Sequence, residues 1–356
     1  EKKLDMEITV EKCPSNADNR QAKISTILAS GDKNIDLISV NDEMISEFKH
    51  KGYLEPLEKN VMTEEVRDSF PQKYLESICE ENGHIYSVPF QMDIMMFWVN
   101  QELLKQAGLD EIKNTGDFDI LQKSLKNPDQ YAYGDAWENT HVYNSLSQFV
   151  NFWGGDYFDW TDPKTKDAAR YMKSMLDEKN TSPAQFVDQY EQMEEKFIRG
   201  KYGCVFMYTS ALGTFLDADV YGKNKIHMAP LPVLHKKKAT NIATWQYVLN
   251  NASENKDAAV RFLQYAAGYE GSTEYAKIMK SYPARVDVIE NEDIDLEGID
   301  MIRKYLREYT LNARPLCENS MGAVSDMGKL FQGYVLGQCE EDSFFEQAQN
   351  CINTYY

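Results

Sequence analysis

Short apolar runs that read as strands alternate with segments of helical period along nearly the whole of this chain, and that order restricts it to an α/β architecture. MEITV at 6–10 alternates apolar and polar, which predicts a strand with Met6, Ile8 and Val10 on one face. A helix follows, with Ile24, Ile27 and Leu28 on one stripe and Gly31 to end it. Next come a short strand at 36–40 and a helix opened by Asn41, whose inner face is Met44, Ile45 and Phe48. IYSVPFQMDIMMFWV at 85–99 predicts extended chain divided at Pro89, because proline lacks a ladder donor. QELLKQA forms a short helix between Asn100 and Gly108, and residues 115–135 read as polar and turn-rich. Helices are expected over 139–152 and from Asp162-Pro163 onward, the latter turning Ala168, Met172, Met175 and Leu176 inward. Strands are expected at 202–208, 226–232 and 243–250. A helix capped by Ser253 then buries Ala259, Val260, Leu263 and Ala267 and ends at Gly268. Three more helices are expected near 299–309, 322–336 and 341–353.

With 356 residues the chain has room for about two domains. Its formal net charge of −19 excludes a nucleic-acid binder, since phosphate contacts need clustered Lys and Arg. The one basic run, Lys236 to Lys238 after His235, reads as a solvated loop tip. No stretch approaches the roughly 18 apolar residues of a membrane helix. The opening EKKLDMEITV lacks a basic-then-apolar leader, so the chain is either cytosolic or separated from a targeting segment. Cysteines at 13, 79, 204, 317, 339 and 351 form no CxxC pair, and Cys204 reads as a buried free thiol in an apolar strand.

Catalytic signatures are sparse. The sequence has no GxGxxG, GxxxxGK[ST], GxSxG or HExxH. DIDLEGIDMIRK at 293–304 begins like a calcium loop, but Lys304 stands where the bidentate acid belongs, so no metal is expected. No cofactor is expected either. Paired carboxylates drawn from Asp42, Glu43 and Asp93 keep a glycoside-acting enzyme open as a rival.

Several segments resemble the carbohydrate-binding family 1 of extracellular solute-binding proteins. They are ILASGDKNIDLISVND (27–42), GYLEPLEKNV (52–61), NGHIYSVPFQMDIMMFWVNQELLKQAGLD (82–110), EEKFIRGKYGCVFMY (194–208), APLPV (229–233), the segment from Asn241 to Ala276, and SYPARVDV (281–288). They run in the family's order over nearly the whole chain. The family's PxTWxEL is eroded here to IKNTGDFDIL (112–121). The resemblance implies a two-lobed periplasmic-binding-protein-like (type II) fold with a hinge and a ligand cleft, whose first strand is missing from this chain. Lobe one would be 1–91 with 247–311, and lobe two 95–243 with 312–356. The crossings would lie near 92–94, 244–246 and 312. It implies further that hinge closure traps a mono- or oligosaccharide, because only the closed state gains the contacts of both lobes together. The implied partner is the permease of an ABC importer. The protein would be a monomer, lipid-anchored on the outer face of the membrane or free in the periplasm.

Sugar rings offer C–H faces to aromatic plates and hydroxyls to carboxylates and amides, and this chain has 22 tyrosines and 5 tryptophans. The resemblance makes Trp245, between Thr244 and Gln246 at a crossing, the leading stacking plate, with a core role under the hinge as the alternative. Asp93 beside Gln91 is a candidate hydroxyl acceptor or a solvated hinge residue. Asp42 and Glu43 either touch ligand or serve the helix N-terminus. Tyr208 ends an apolar strand. Tyr143, with Asn144, and Trp153 lie on the aromatic helix, where core packing is the alternative. Arg285 in PARVDV faces the site or makes a salt bridge. Met95, Phe97 and Trp98 read as core. A polyamine or peptide receptor of the same fold, and an adhesin reusing it, stay open. An anion receptor would need a Tyr or Arg cluster that sequence alone does not locate.

Overall fold

The computed structural model describes residues 3–14 and 17–356. Among them nine strands are assigned: β1 (Leu37–Asn41), β2 (Glu80–Glu81), β3 (His84–Ile85), β4 (Ser87–Asn100), β5 (Tyr131–Gly134), β6 (Tyr202–Tyr208), β7 (Ile226–Ala229), β8 (Ala239–Leu249) and β9 (Thr310–Ala313). The chain divides into two compact units, Glu1–Met92 with Ala243–Ile299 and Asp93–Ile242 with Asp300–Tyr356. Strands β4 and β8 each run on from one unit into the next.

In the first unit β1 pairs antiparallel with β8, from Leu37 opposite Leu249 to Asn41 opposite Trp245. Helix Ala17–Ser30 buries Ile24 and Leu28 and stops at Gly31, whose φ of +64° suits a residue without a Cβ. Helix Asp42–His50 sinks Met44, Ile45 and Phe48 and keeps Asp42 and Glu43 in its first turn, where the helix dipole favours negative charge. Helices Lys256–Ala267 and Tyr269–Met279 follow β8.

In the second unit the latter half of β4 has β6 on one side, Met95 opposite Tyr208, and β7 on the other, Phe97 opposite Ala229; both pairings are antiparallel. β5 lies parallel to β6, and β9 lies parallel to the start of β8. Phe97 and Phe206 form the centre of this core with Tyr133, Phe149 and Phe152, while Trp98, next along β4 and so on its other face, packs edge-on against Phe215 at 4.9 Å. The indole N–H of Trp98 is satisfied by the Met207 carbonyl at 2.9 Å.

Five expectations are corrected. No strand forms at 6–10, where Ile8 and Val10 are exposed; alternation alone makes no strand without a neighbouring ladder. β4 runs unbroken through Pro89, and the interruption falls at Tyr86 instead. The polar stretch at 115–135 holds helix Thr115–Ser124 and β5. That helix starts at a capping box, Asn114 accepting from Gly116 N while Asp117 accepts from the Lys113 and Asn114 amides. Asn255, not Ser253, stands at the N-cap position of the helix after β8, without a side-chain cap bond; the Ser253 hydroxyl, two residues ahead, donates to Asp36 at 2.6 Å and accepts from Asn255 N at 3.0 Å. The third passage between the units falls after Ile299, not near 312. From Asp300 on, helix Ile299–Glu308 belongs to the second unit, where the Tyr305 hydroxyl accepts from Phe97 N and donates to Ala229 O.

Candidate functional site

The candidates separate by unit, and each group is built by local geometry. In the first unit, strand alternation puts Thr244 and Gln246 on the buried face of β8 and leaves Trp245 and Tyr247 half-buried on the other. The Arg20 guanidinium lies 5.3 Å from the centroid of the Trp245 ring. Tyr247 stacks on Phe90 at 4.2 Å, and Tyr275 meets Phe90 edge-on at 5.3 Å. The Tyr275 hydroxyl donates to Gln91 Oε1 at 2.6 Å. Gln91 is therefore part of an aromatic group that also contains Phe90, Tyr247 and Tyr275, none of which the sequence reading singled out.

Asp42 is fully buried, and its carboxylate accepts from the Tyr74 hydroxyl at 2.9 Å. Glu43, half-buried, accepts from the Asn41 amide at 2.9 Å. Arg285 is 8% exposed. Its guanidinium donates to both Asp287 oxygens, to the Ala267 carbonyl and to the Ser69 hydroxyl. That arrangement knits the PARVDV segment to the helix ending at Ala267.

In the second unit Asp93 opens the latter half of β4 and is 7% exposed. Its Oδ1 accepts from Thr209 Oγ1 at 2.6 Å and from Ser210 N at 2.8 Å. Burial pushes the Asp93 carboxyl above the usual range, against the opposing pull of Thr209, Ser210 and the Arg314 charge. Tyr208, at the end of β6, donates to Asn144 Oδ1 at 2.9 Å. Tyr143, on helix Val142–Trp153, accepts from Arg314 Nη1 at 2.6 Å. The Arg314 guanidinium lies 5.9 Å from the rings of both Tyr143 and Tyr208, and Tyr190 comes within 5.9 Å of Tyr208.

Asp93, Tyr143, Asn144, Tyr208, Tyr190 and Arg314 thus form one polar and aromatic cluster. Arg314 and Tyr190 were not foreseen, and Arg314 supplies the Tyr–Arg convergence that sequence alone does not locate. Trp153 stands apart. It is ten residues further along the same helix, about 15 Å at the helical rise, and its indole stacks on His235 at 5.0 Å with Tyr171 at 4.8 Å. Gly154, at φ +70°, ends the helix there. The hydroxyls, amide, carboxylate and guanidinium of the cluster can exchange hydrogen bonds with a polyhydroxylated ligand, and the phenol faces can pack on C–H surfaces.

The fold is that of MalE-type solute-binding proteins. The maltose-bound MalE3 of T. maritima superposes with a TM-score of 0.81 at 17% identity, over 98% of this chain and 92% of that one. The chain belongs to the family of bacterial extracellular solute-binding proteins, whose sequence profile matches residues 7–273. Members of this family are solute-binding components of ABC transporters, not enzymes. Among curated relatives, a probable amino-acid ABC transporter periplasmic-binding protein of Sinorhizobium fredii is 24% identical over 64% of this chain. The arabinooligosaccharide-binding protein of Bacillus subtilis is 22% identical over 76% of it. This chain spans 54% and 65% of the lengths of those two relatives.

Proposed function

We propose that the protein binds a carbohydrate outside the cytoplasm and delivers it to the permease of an ABC importer, without breaking a covalent bond. The observation that carries this reading is the cluster in the second unit. Tyr143 is bonded to Arg314 and Tyr208 to Asn144, the Arg314 guanidinium lies beside both phenol rings, and Asp93 stands near enough to feel its charge. Hydrogen bonds to charged groups contribute about 1.5–3 kcal/mol each, so such a cluster suits a polyol. The Asp93 carboxylate accepts from the Thr209 hydroxyl and from both the amide and the hydroxyl of Ser210, which holds it in place as an acceptor for a ligand hydroxyl. Trp245, half-buried beside Arg20, is the stacking plate that the first unit offers to a sugar ring. The names of a maltose-bound structural relative and of an arabinooligosaccharide-binding relative favour a sugar. We also place the protein as a monomer, lipid-anchored to the outer face of the membrane or free in the periplasm.

A thermal-shift screen over mono- and oligosaccharides tests the reading. A sugar at a hundredfold excess over its Kd stabilises by about 2.7 kcal/mol, and one carbohydrate class is expected to raise Tm. Trp245→Ala should abolish that rise and leave the Tm of the unliganded protein nearly unchanged. Polyamines, amino acids, peptides and sugar acids belong in the same plate. Arg314 between two tyrosine rings is the feature that favours an anionic solute as the second reading. A Tm rise with those compounds and none with neutral sugars would replace the carbohydrate assignment. Release of reducing ends from an oligosaccharide would replace it with an enzyme.

A further inference from the structure

The two residues that flank Trp245 are tied to a single buried hydroxyl. Tyr74 donates to Asp42 Oδ2 at 2.9 Å, accepts from Gln246 Nε2 at 3.2 Å, and lies 2.7 Å from Thr244 Oγ1. A phenol has one proton, and here it goes to the carboxylate, so the Thr244 hydroxyl is the donor in the third bond. Gln246 is held from its other end as well, its Oε1 accepting from the Cys79 thiol at 3.1 Å. Asp42, Tyr74, Cys79, Thr244 and Gln246 are all 3% exposed or less. On the opposite face of β8, Trp245 stands half-buried, just past the point at Ile242–Ala243 where the chain enters the first unit.

We propose that Tyr74 is the positioning residue for Trp245, and that Asp42 serves the site by orienting Tyr74. The inference rests on the reading of Trp245 as a ligand plate. A strand residue takes its direction from the peptide planes on either side. Fixing Thr244 and Gln246 to one oxygen removes the twist that would let the indole swing, so less ordering remains to be done when a sugar ring arrives.

The test uses the full chain labelled with 5-fluorotryptophan. Trp245 is the sole tryptophan of the first unit; Trp98, Trp137, Trp153 and Trp160 all lie in the second and are at most 6% exposed. The Trp245 fluorine line, assigned by Trp245→Phe, should shift or broaden in Tyr74→Phe while the other four stay in place. Thr244→Val should move the same line, and Thr244→Ser should restore it. Should Tyr74→Phe fail to fold, the Thr244 pair carries the test alone. An unmoved Trp245 line in the variants that fold overturns the proposal. Affinity for maltotriose and arabinotriose separates this failure from that of the parent reading. If Trp245→Ala leaves both affinities unchanged, the plate assignment itself is wrong. If it abolishes binding, Tyr74→Phe should weaken the same sugar about tenfold, the equivalent of one hydrogen bond, and an unchanged affinity there sinks the positioning role.

Discussion

Replacing Asp135 with alanine strips the acceptor from four buried donors at once. The carboxylate is 1% exposed. It accepts from the Tyr133 hydroxyl at 2.7 Å, Trp137 Nε1 at 2.9 Å, the Ser145 hydroxyl at 2.6 Å and Ala136 N at 2.8 Å. Each orphaned donor costs about 1–3 kcal/mol. Two effects reduce the sum. Water can enter the vacated space and recover part of the bonding. Removing the carboxylate also relieves the cost of burying a charge, the effect that pushes its pKa above the usual range. The net expectation for Asp135→Ala is about 3–5 kcal/mol, at the exceptional end for one substitution. Asp135→Asn keeps one accepting oxygen and opposes the other two donors with an NH2, for about 2–3 kcal/mol, and Ser145→Ala removes one bond, for about 1 kcal/mol. Guanidinium denaturation followed by tryptophan fluorescence reads this directly, because four of the five indoles belong to the affected unit. The sign with pH follows from the raised pKa. Charge burial penalises the folded state at neutral pH, and that penalty disappears as the pH falls through the folded value toward the unfolded one near 3.9. Asp135→Asn lacks this titration, so the gap between wild type and variant should widen from pH 7 to about pH 4. A variant within about 0.5 kcal/mol of wild type, or a gap that narrows on acidification, refutes the reasoning.

Arg285→Ala should destabilise the first unit by about 2–3 kcal/mol through lost bonds to Asp287, Ser69 and Ala267. Arg285→Lys should recover little in the same denaturation series, since an ammonium cannot span those partners. Asn114→Ala removes the side-chain cap of helix Thr115–Ser124 at about 1 kcal/mol, read as faster amide exchange confined to that helix. Burial pushes the Cys79 thiol up to about 12 and the Cys204 thiol well above its ordinary value. A thiol reagent at pH 8 should therefore label the half-exposed Cys13 and Cys339 first and reach Cys79 and Cys204 only in denaturant; early labelling of Cys79 would contradict its burial.

How far the sequence speaks depends on the range of the forces involved. β6 and helix Pro163–Asp177 were legible because their signals are local: an unbroken apolar run in one, Asp162-Pro163 with a periodic stripe in the other. Helix Thr115–Ser124 was hidden by weak helix formers at its start, though the Asn114–Asp117 box was there to be read. The alternation at 6–10 misled because a strand is a property of pairs. The candidate site follows the same division. Trp245, Asp93, Tyr143 and Tyr208 were each nameable from motif and position. Arg314 carries no local mark; it follows β9 and becomes meaningful only where the parallel pairing of β9 with β8 sets it between a tyrosine from helix Val142–Trp153 and one from β6. Tyr74 shows this most clearly. Its hydroxyl meets Thr244 and Gln246 across some 170 positions of chain. The contact exists because β1 and β8 are antiparallel neighbours and Asp42 directly follows β1. On the proposed reading of Trp245 as a ligand plate, residues that touch a ligand announce themselves by chemistry, and residues that aim them are set by topology. The aiming residues are therefore the part of a binding site that a single sequence conceals.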